Sequence, residues 1–224
     1  TTSKDITYTV ETSGSATEGT DYQSIDDVTV SGETGSFSIT LIDDSISDIN
    51  ETIDLTLTAV DKGTELCDET LTSNTITIID DEAAPTITLA ASASSIAENA
   101  GSSITLTATS SIISGSDITV SFDTSGTATE GTDYGTISDI TISAGSTTGT
   151  TTFTPTDDSM YETSTDETAT VAIGTVSGGG ATESGAQSVT LTIEENDSAP
   201  TVTLAASSSS IAENAGTSIT LTAT

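Results

Sequence analysis

One stretch of this sequence occurs twice almost unchanged. Residues 85–109 read PTITLAASASSIAENAGSSITLTAT and residues 200–224 read PTVTLAASSSSIAENAGTSITLTAT, identical at 22 of 25 positions with an offset of 115. A second block, ITYTVETSGSATEGTDY from Ile6 to Tyr22, returns as ITVSFDTSGTATEGTDY from Ile118 to Tyr134. Weaker echoes keep the same order. LIDDSISDINET from Leu41 parallels PTDDSMYETSTDET from Pro155, and TITIIDDEAAPTITL from Thr75 parallels TLTIEENDSAPTVTL from Thr190. Self-similarity at a fixed period means that each repeat is one structural unit packed against the next. The phase of the echoes sets the expected organisation. Residues 1–84 are expected to form a unit without its first strands, residues 85–199 a complete unit, and residues 200–224 the opening strands of a further one.

Within residues 85–199 seven short runs read as strands: Thr86 to Ala91, Ser103 to Thr109, Ile118 to Asp123, Ile137 to Ser143, Thr148 to Thr154, Thr168 to Val176 and Gln187 to Ile193. Several alternate apolar residues with Thr or Ser, the period-2 pattern of a strand with one face in a core. Trp and His are absent and no long amphipathic helix is visible. Seven such strands with Gly, Ser and Asp turns predict an all-β chain of tandem seven-stranded, Greek-key, immunoglobulin-like sandwiches. Gly178, Gly179 and Gly180 read as a hairpin turn, and the Ala-Pro pairs at 84–85 and 199–200 fall at the seams, where Pro blocks pairing and stiffens the junction.

Charge narrows the functional classes. Against 35 acidic residues stand only Lys4 and Lys62, a formal net charge of −33. Nucleic acid is excluded as a partner, since displacing counterions from phosphates needs a basic footprint. Mutual repulsion of so many carboxylates weakens the ion-free compact state, and bound divalent cations relieve it. Without His, and with no Ser, Cys or Thr beside a recognisable base, no enzymatic activity is expected. The lone Cys67 cannot form an internal disulfide and is expected to be inert and semi-buried. No apolar run is long enough to span a membrane, so no insertion is expected in this segment; opening on Thr1, it reads as an excerpt or a processed product.

Calcium takes six to eight hard oxygen ligands, several of them carboxylates gathered from loops that meet in space. The acids of the complete unit concentrate in three places: Asp133 in the G-T-D-Y turn; Asp157, Asp158, Glu162, Asp166 and Glu167 between strands; and Glu194, Glu195 and Asp197 at the exit. Residues 1–84 repeat the set as Asp21; Asp43, Asp44, Asp48 and Glu51; and Asp80, Asp81 and Glu82. Loops at one end of a sandwich cluster, so each set is expected to converge. The sequons Asn50-Glu51-Thr52 and Asn196-Asp197-Ser198 lie in these same loops.

The ordered combination S-I-A-E-N-A-G, G-T-A-T-E-G-T-D-Y, the D-D then D-E-T spacing and the terminal I-I-D-D resembles the Calx-beta family over essentially the whole chain. The resemblance implies seven-stranded sandwiches of the kind found in sodium/calcium exchangers and large bacterial surface proteins, many binding calcium at one end. It places ligands on Glu98, Asp133, Asp157 and Asp158, on one or more of Glu162, Asp166 and Glu167, and on the exit acids. Two departures touch the ligand count: the exit reads Glu194-Glu195-Asn196-Asp197 rather than consecutive aspartates, and Thr163 to Thr165 stretch the middle cluster.

Two functions are consistent with this reading. One is a structural calcium-binding unit of an extracellular or cell-surface adhesin or filament, with neighbouring copies stacked head to tail. The other is a calcium-regulated sensor or ligand-binding module. The near-identity of the two opening segments favours interchangeable units, hence the first. The strands missing from residues 1–84 are expected to come either from upstream in a longer polypeptide, the favoured route because two strands and a turn would have to be donated together, or from residues 200–224 of another copy. Either way Glu213 of one copy is expected to join Asp21, Asp43 and Asp44 of the next.

Overall fold

The computed structural model describes residues 5–31, 34–59, 73–161, 166–214 and 216–224. Glu162 and Cys67 lie outside the described residues. Four strands, β1 (Ile6–Gly14), β2 (Val28–Val30), β3 (Glu51–Ala59) and β4 (Ser73–Ile78), form one antiparallel sheet in the order β2-β1-β3-β4. Nine more follow: β5 (Thr86–Ala91), β6 (Ser95–Ala97), β7 (Ile104–Ser110), β8 (Ile118–Gly126), β9 (Ile140–Ile142), β10 (Thr148–Phe153), β11 (Glu167–Ser177), β12 (Thr182–Glu183) and β13 (Ser188–Glu194). They make two sheets, β10-β7-β5-β12 and β6-β13-β11-β8-β9. The chain ends in a hairpin of β14 (Leu204–Ala206) and β15 (Leu221–Ala223). Among the described residues there is no helix.

The alternation of apolar side chains with Thr explains how the two central sheets face each other. Along β7, Ile104, Leu106 and Ala108 are buried while Thr105 and Thr107 between them are not. Ile87, Ile118, Val120, Ile140, Ile142, Phe153, Val171 and Leu191 fill the same core from the other strands. The seven expected strands are present, and two short ones join them. β6 and β12 are too short for alternation to register in sequence, and each exists by pairing in parallel with a distant strand, β13 and β5 respectively. The strand expected from Ile137 is confined to Ile140–Ile142, with Ile137 packed at the core margin. The triple-glycine turn is real: Gly178, Gly179 and Gly180 all take positive φ, which residues with a Cβ avoid.

The first unit packs its single described sheet around Val10, Ala16, Tyr22, Val28, Ile53 and Leu55. A loop of the first unit touches a loop of the central unit. Ser47 N–H donates to the Ile113 carbonyl at 2.9 Å and Gly115 N–H donates to the Ser47 carbonyl at 3.1 Å. Ser47 and Ser114, bridged in parallel here, are both buried.

Candidate metal centre

The G-T-D-Y motif builds the same turn twice. Gly19 and Gly131 both sit at φ +87°, and their N–H groups donate to the Tyr22 and Tyr134 carbonyls at 2.7 Å. The buried tyrosine anchors each turn, Tyr134 with its ring 4.8 Å from that of Phe153. One carboxylate oxygen of each aspartate is used locally: Thr17 N–H donates to Asp21 Oδ2 and Thr129 N–H to Asp133 Oδ2, both at 2.6 Å. The aspartate carbonyls hold the next loop, accepting from Ile42 N–H at 3.0 Å and from Thr156 N–H at 2.9 Å. The turn thereby ties each aspartate to the D-D loop that follows.

In the first unit, all eight acids singled out from the sequence converge. Asp21, Asp43, Asp44, Asp48, Glu51, Asp80, Asp81 and Glu82 line one cavity of about 220 Å³, with Leu41, Ile42, Ile49, Ile78 and Ile79 as its apolar wall. Carboxylate oxygens of Asp43, Asp81 and Glu82 lie within 4.8 Å of one another. Burial, and then the charges of Asp44, Asp80 and Asp21, push the Asp48 carboxyl above its ordinary value. Glu51, at the head of β3, is likewise raised by burial, by the charge and hydrogen bond of Asp21, and by Asp48 and Asp44. Asn50, read in sequence only as part of a sequon, supports the cup: its Oδ1 accepts from Asp80 N–H at 3.4 Å.

The central cup is assembled differently. Parallel pairing of β6 with β13 brings Glu98 to the exit segment, where its N–H donates to the Glu194 carbonyl at 3.1 Å. The Glu98 side chain is buried, and its Oε1 accepts from Asp158 N–H at 3.2 Å. Glu98, Glu195 and Asp197 offer oxygens within 4.8 Å of one another. Glu195 Oε1 accepts from Asp197 N–H at 2.7 Å. Asp197 is raised by burial and by the charges of Glu195, Asp158 and Asp157, which places the D-D loop within electrostatic reach of the exit. Glu167 heads β11 as Glu51 heads β3. The side chains of Glu194 and Asp166 are exposed, and Glu194 enters the local framework through its carbonyl. Glu213 is exposed in the loop of the terminal hairpin.

These donor sets fit a hard divalent cation. They consist of carboxylate oxygens from three loops, and Asp197 Oδ2 is buried with no hydrogen-bond partner among the described residues. Converging negative charges without a cation within range are costly, and calcium accepts this kind of irregular oxygen cage.

Two acidic cups, one in each of two tandem all-β units, define a class of oxygen-rich, cation-site repeat modules. The Calx-beta domain model matches residues 2–82 and 80–197, and the chain belongs to the Calx-beta domain family. No curated protein matches its sequence. Among solved structures it is similar to the calcium binding domain CBD12 of CALX1.1, at 18% identity over 78% of this chain and 69% of that one, with a TM-score of 0.30. It is also similar to CBD12 from CALX1.2, at 20% identity over 77% and 68%, with a TM-score of 0.31.

Proposed function

We propose that this chain is a structural calcium-binding repeat of an extracellular adhesin or filament, with copies stacked head to tail and stiffened by calcium. One observation carries the reading. Ser47, whose main chain holds the junction to the central unit, lies between Asp44 and Asp48, which line the first cup. A cation gripped by those carboxylates restrains the loop that joins the units. Asp44 already shapes this loop, since its Oδ1 accepts from Ile46 N–H at 2.8 Å. The family's calcium chemistry, the donor sets and the repeat of interchangeable opening segments all support this reading. The excess of acid suits a calcium-rich exterior, where the sites stay filled.

The same junction also supports the second reading, a sensor in which filling the first cup changes the angle between units. Small-angle scattering of the purified chain, in calcium and in chelator, decides between them. A spacer narrows its distribution of maximum dimensions around one extended length when calcium is added. A sensor moves from one defined length to another. If neither the scattering nor the melting temperature responds to calcium, calcium has no role in this chain.

A further inference from the structure

The repeats share their opening segments but not the loops that meet at the junction. Residues 85–109 and 200–224 are identical at 22 of 25 positions. The junction loops have diverged. After its paired aspartates the first unit reads Ser45-Ile46-Ser47-Asp48, and the central unit reads Ser159-Met160-Tyr161-Glu162. Both loops open with the same turn: Ile46 N–H donates to Asp44 Oδ1 at 2.8 Å and Met160 N–H to Asp158 Oδ1 at 2.6 Å. Ser47 and Tyr161 therefore hold equivalent places. The loop that receives Ser47 differs between repeats as well. It reads Ile113-Ser114-Gly115-Ser116-Asp117 in the central unit, against Thr1-Thr2-Ser3-Lys4-Asp5 at the matching sequence positions, where no glycine occurs.

The seat for Ser47 is built for a small residue. Ser47 is 4% exposed, and Ser114, its partner in the parallel bridge, is 2% exposed. Ser114 has no room to retreat. Its carbonyl accepts from Gly145 N–H at 2.9 Å, its Oγ accepts from Ser116 N–H at 3.1 Å, and a Cβ on Gly179 would overlap that same Oγ. On the other side, Asp48 Oδ1 fills the space that a Cβ on Gly115 would take. A phenol ring at position 47 fits only if the two loops part, because packed protein leaves no void of that size and overfilling it forces the backbone to move.

We propose that this junction is a size selector that fixes the order of units. The 113–115 loop accepts a neighbour whose cup loop carries a small residue at the place of Ser47, and refuses one that carries the central unit's Tyr161. Discrimination among similar partners is commonly obtained by a clash against the wrong one. Repeats with near-identical strands need such a device, since misassembly between like domains is a characteristic failure of repeat proteins. The selector goes beyond the calcium reading, because it rests on steric fit and not on the ion.

The test is native-state hydrogen exchange on the full chain, in calcium and in chelator, read at the two amides that make the contact, Ser47 and Gly115. Ser47→Ala should keep the protection of the unmodified chain at both. Ser47→Tyr should cut it at least about tenfold, to the level of an open loop, while the amides of β3 and β7 stay protected. Gly115→Tyr, at an exposed loop position, should do the same from the other side, which keeps the proposal testable if Ser47→Tyr unfolds the first unit. Ser45→Tyr, exposed in the same loop and outside the contact, should change neither amide. The pattern should be the same in both buffers, so it stands or falls separately from the role of calcium. Four results overturn the proposal: full protection in Ser47→Tyr or Gly115→Tyr, a loss in Ser47→Ala as large as in Ser47→Tyr, a size dependence confined to one buffer, or no protection at either amide in the unmodified chain.

Discussion

Residues 5–82 and 85–197 carry the same turn and the same order of acidic loops, yet they bury different surfaces. Tyr22 and Tyr134 are equally enclosed, and Ile53 is as buried as its counterpart Ala169. Away from this shared half the two diverge. Phe153 is in the core of the central unit, while its counterpart Ile39 lies at the margin of the first; Leu191 is buried and Ile76 is not. The difference falls on surfaces that β5, β6 and β7 cover in the central unit. A backbone segment takes up a strand only where another strand satisfies its N–H and C=O groups, and a side chain is buried only where something covers it. The terminal hairpin shows the same rule from the other side.

The largest expected effect sharpens this contrast with one substitution at two equivalent sites. Leu106→Ala leaves a cavity in a filled core and should cost about 2–5 kcal/mol of the central unit's stability. Leu221→Ala, at an exposed site in the isolated monomer, should change its unfolding by less than about 0.5 kcal/mol. Denaturant unfolding of dilute protein measures both. Equal costs would mean that the hairpin is buried in the monomer.

Next in size is the separation of the two cups. Asp157→Asn with Asp158→Asn removes two charges from the central cup but spares the first. At calcium near 100 times the dissociation constant, the central unit should lose about 2.7 kcal/mol of ion-linked stability. Calorimetric titration should retain the heat of the first cup. An unchanged isotherm would make these two residues ordinary surface acids.

A smaller effect probes the junction. A Cβ at position 115 would overlap Asp48 Oδ1, the flexible end of a side chain that can swing away. Gly115→Ala should therefore leave both units folded while weakening ion binding at the first cup about tenfold, or about 1.4 kcal/mol. The central cup should titrate as before. Loss of both sites would show that the cups are not independent.

The smallest effect is on pH. Asp48 and Glu51 are held above their ordinary values of 3.8 and 4.5, so the folded, chelated first unit binds protons more readily than the unfolded chain. The stability this confers is complete below those ordinary values and is lost as pH rises through the raised ones. Melting of the chelated chain should thus fall as pH climbs from the acid side toward neutrality, and calcium should oppose the fall. A melting temperature that climbs with pH in chelator would contradict the crowding of these carboxylates.

Much of this was legible without coordinates. Repetition announced the units, alternation of apolar residues with Thr located the long strands, and the recurrence of Asp-Asp loops marked the acids, because each signal is local and repeats at short range. Eight acids of residues 1–84 were named from sequence and line one cavity. Which central acids meet was a different matter. Glu98 joins Glu195 and Asp197 only because the three-residue β6 pairs in parallel with β13, nearly a hundred positions downstream. Glu194 points out while Glu195 is partly enclosed because side chains alternate faces at the end of that strand. The Ser47–Ser114 junction carries no sequence signal, since two serines in two loops are unremarkable until the loops touch. Sequence by itself determined the local geometry of turns and strands and the inventory of charge. Tertiary structure decided which strands had partners and which carboxylates shared a cup, because burial, long-range pairing and electrostatic crowding depend on what lies next to a residue in space.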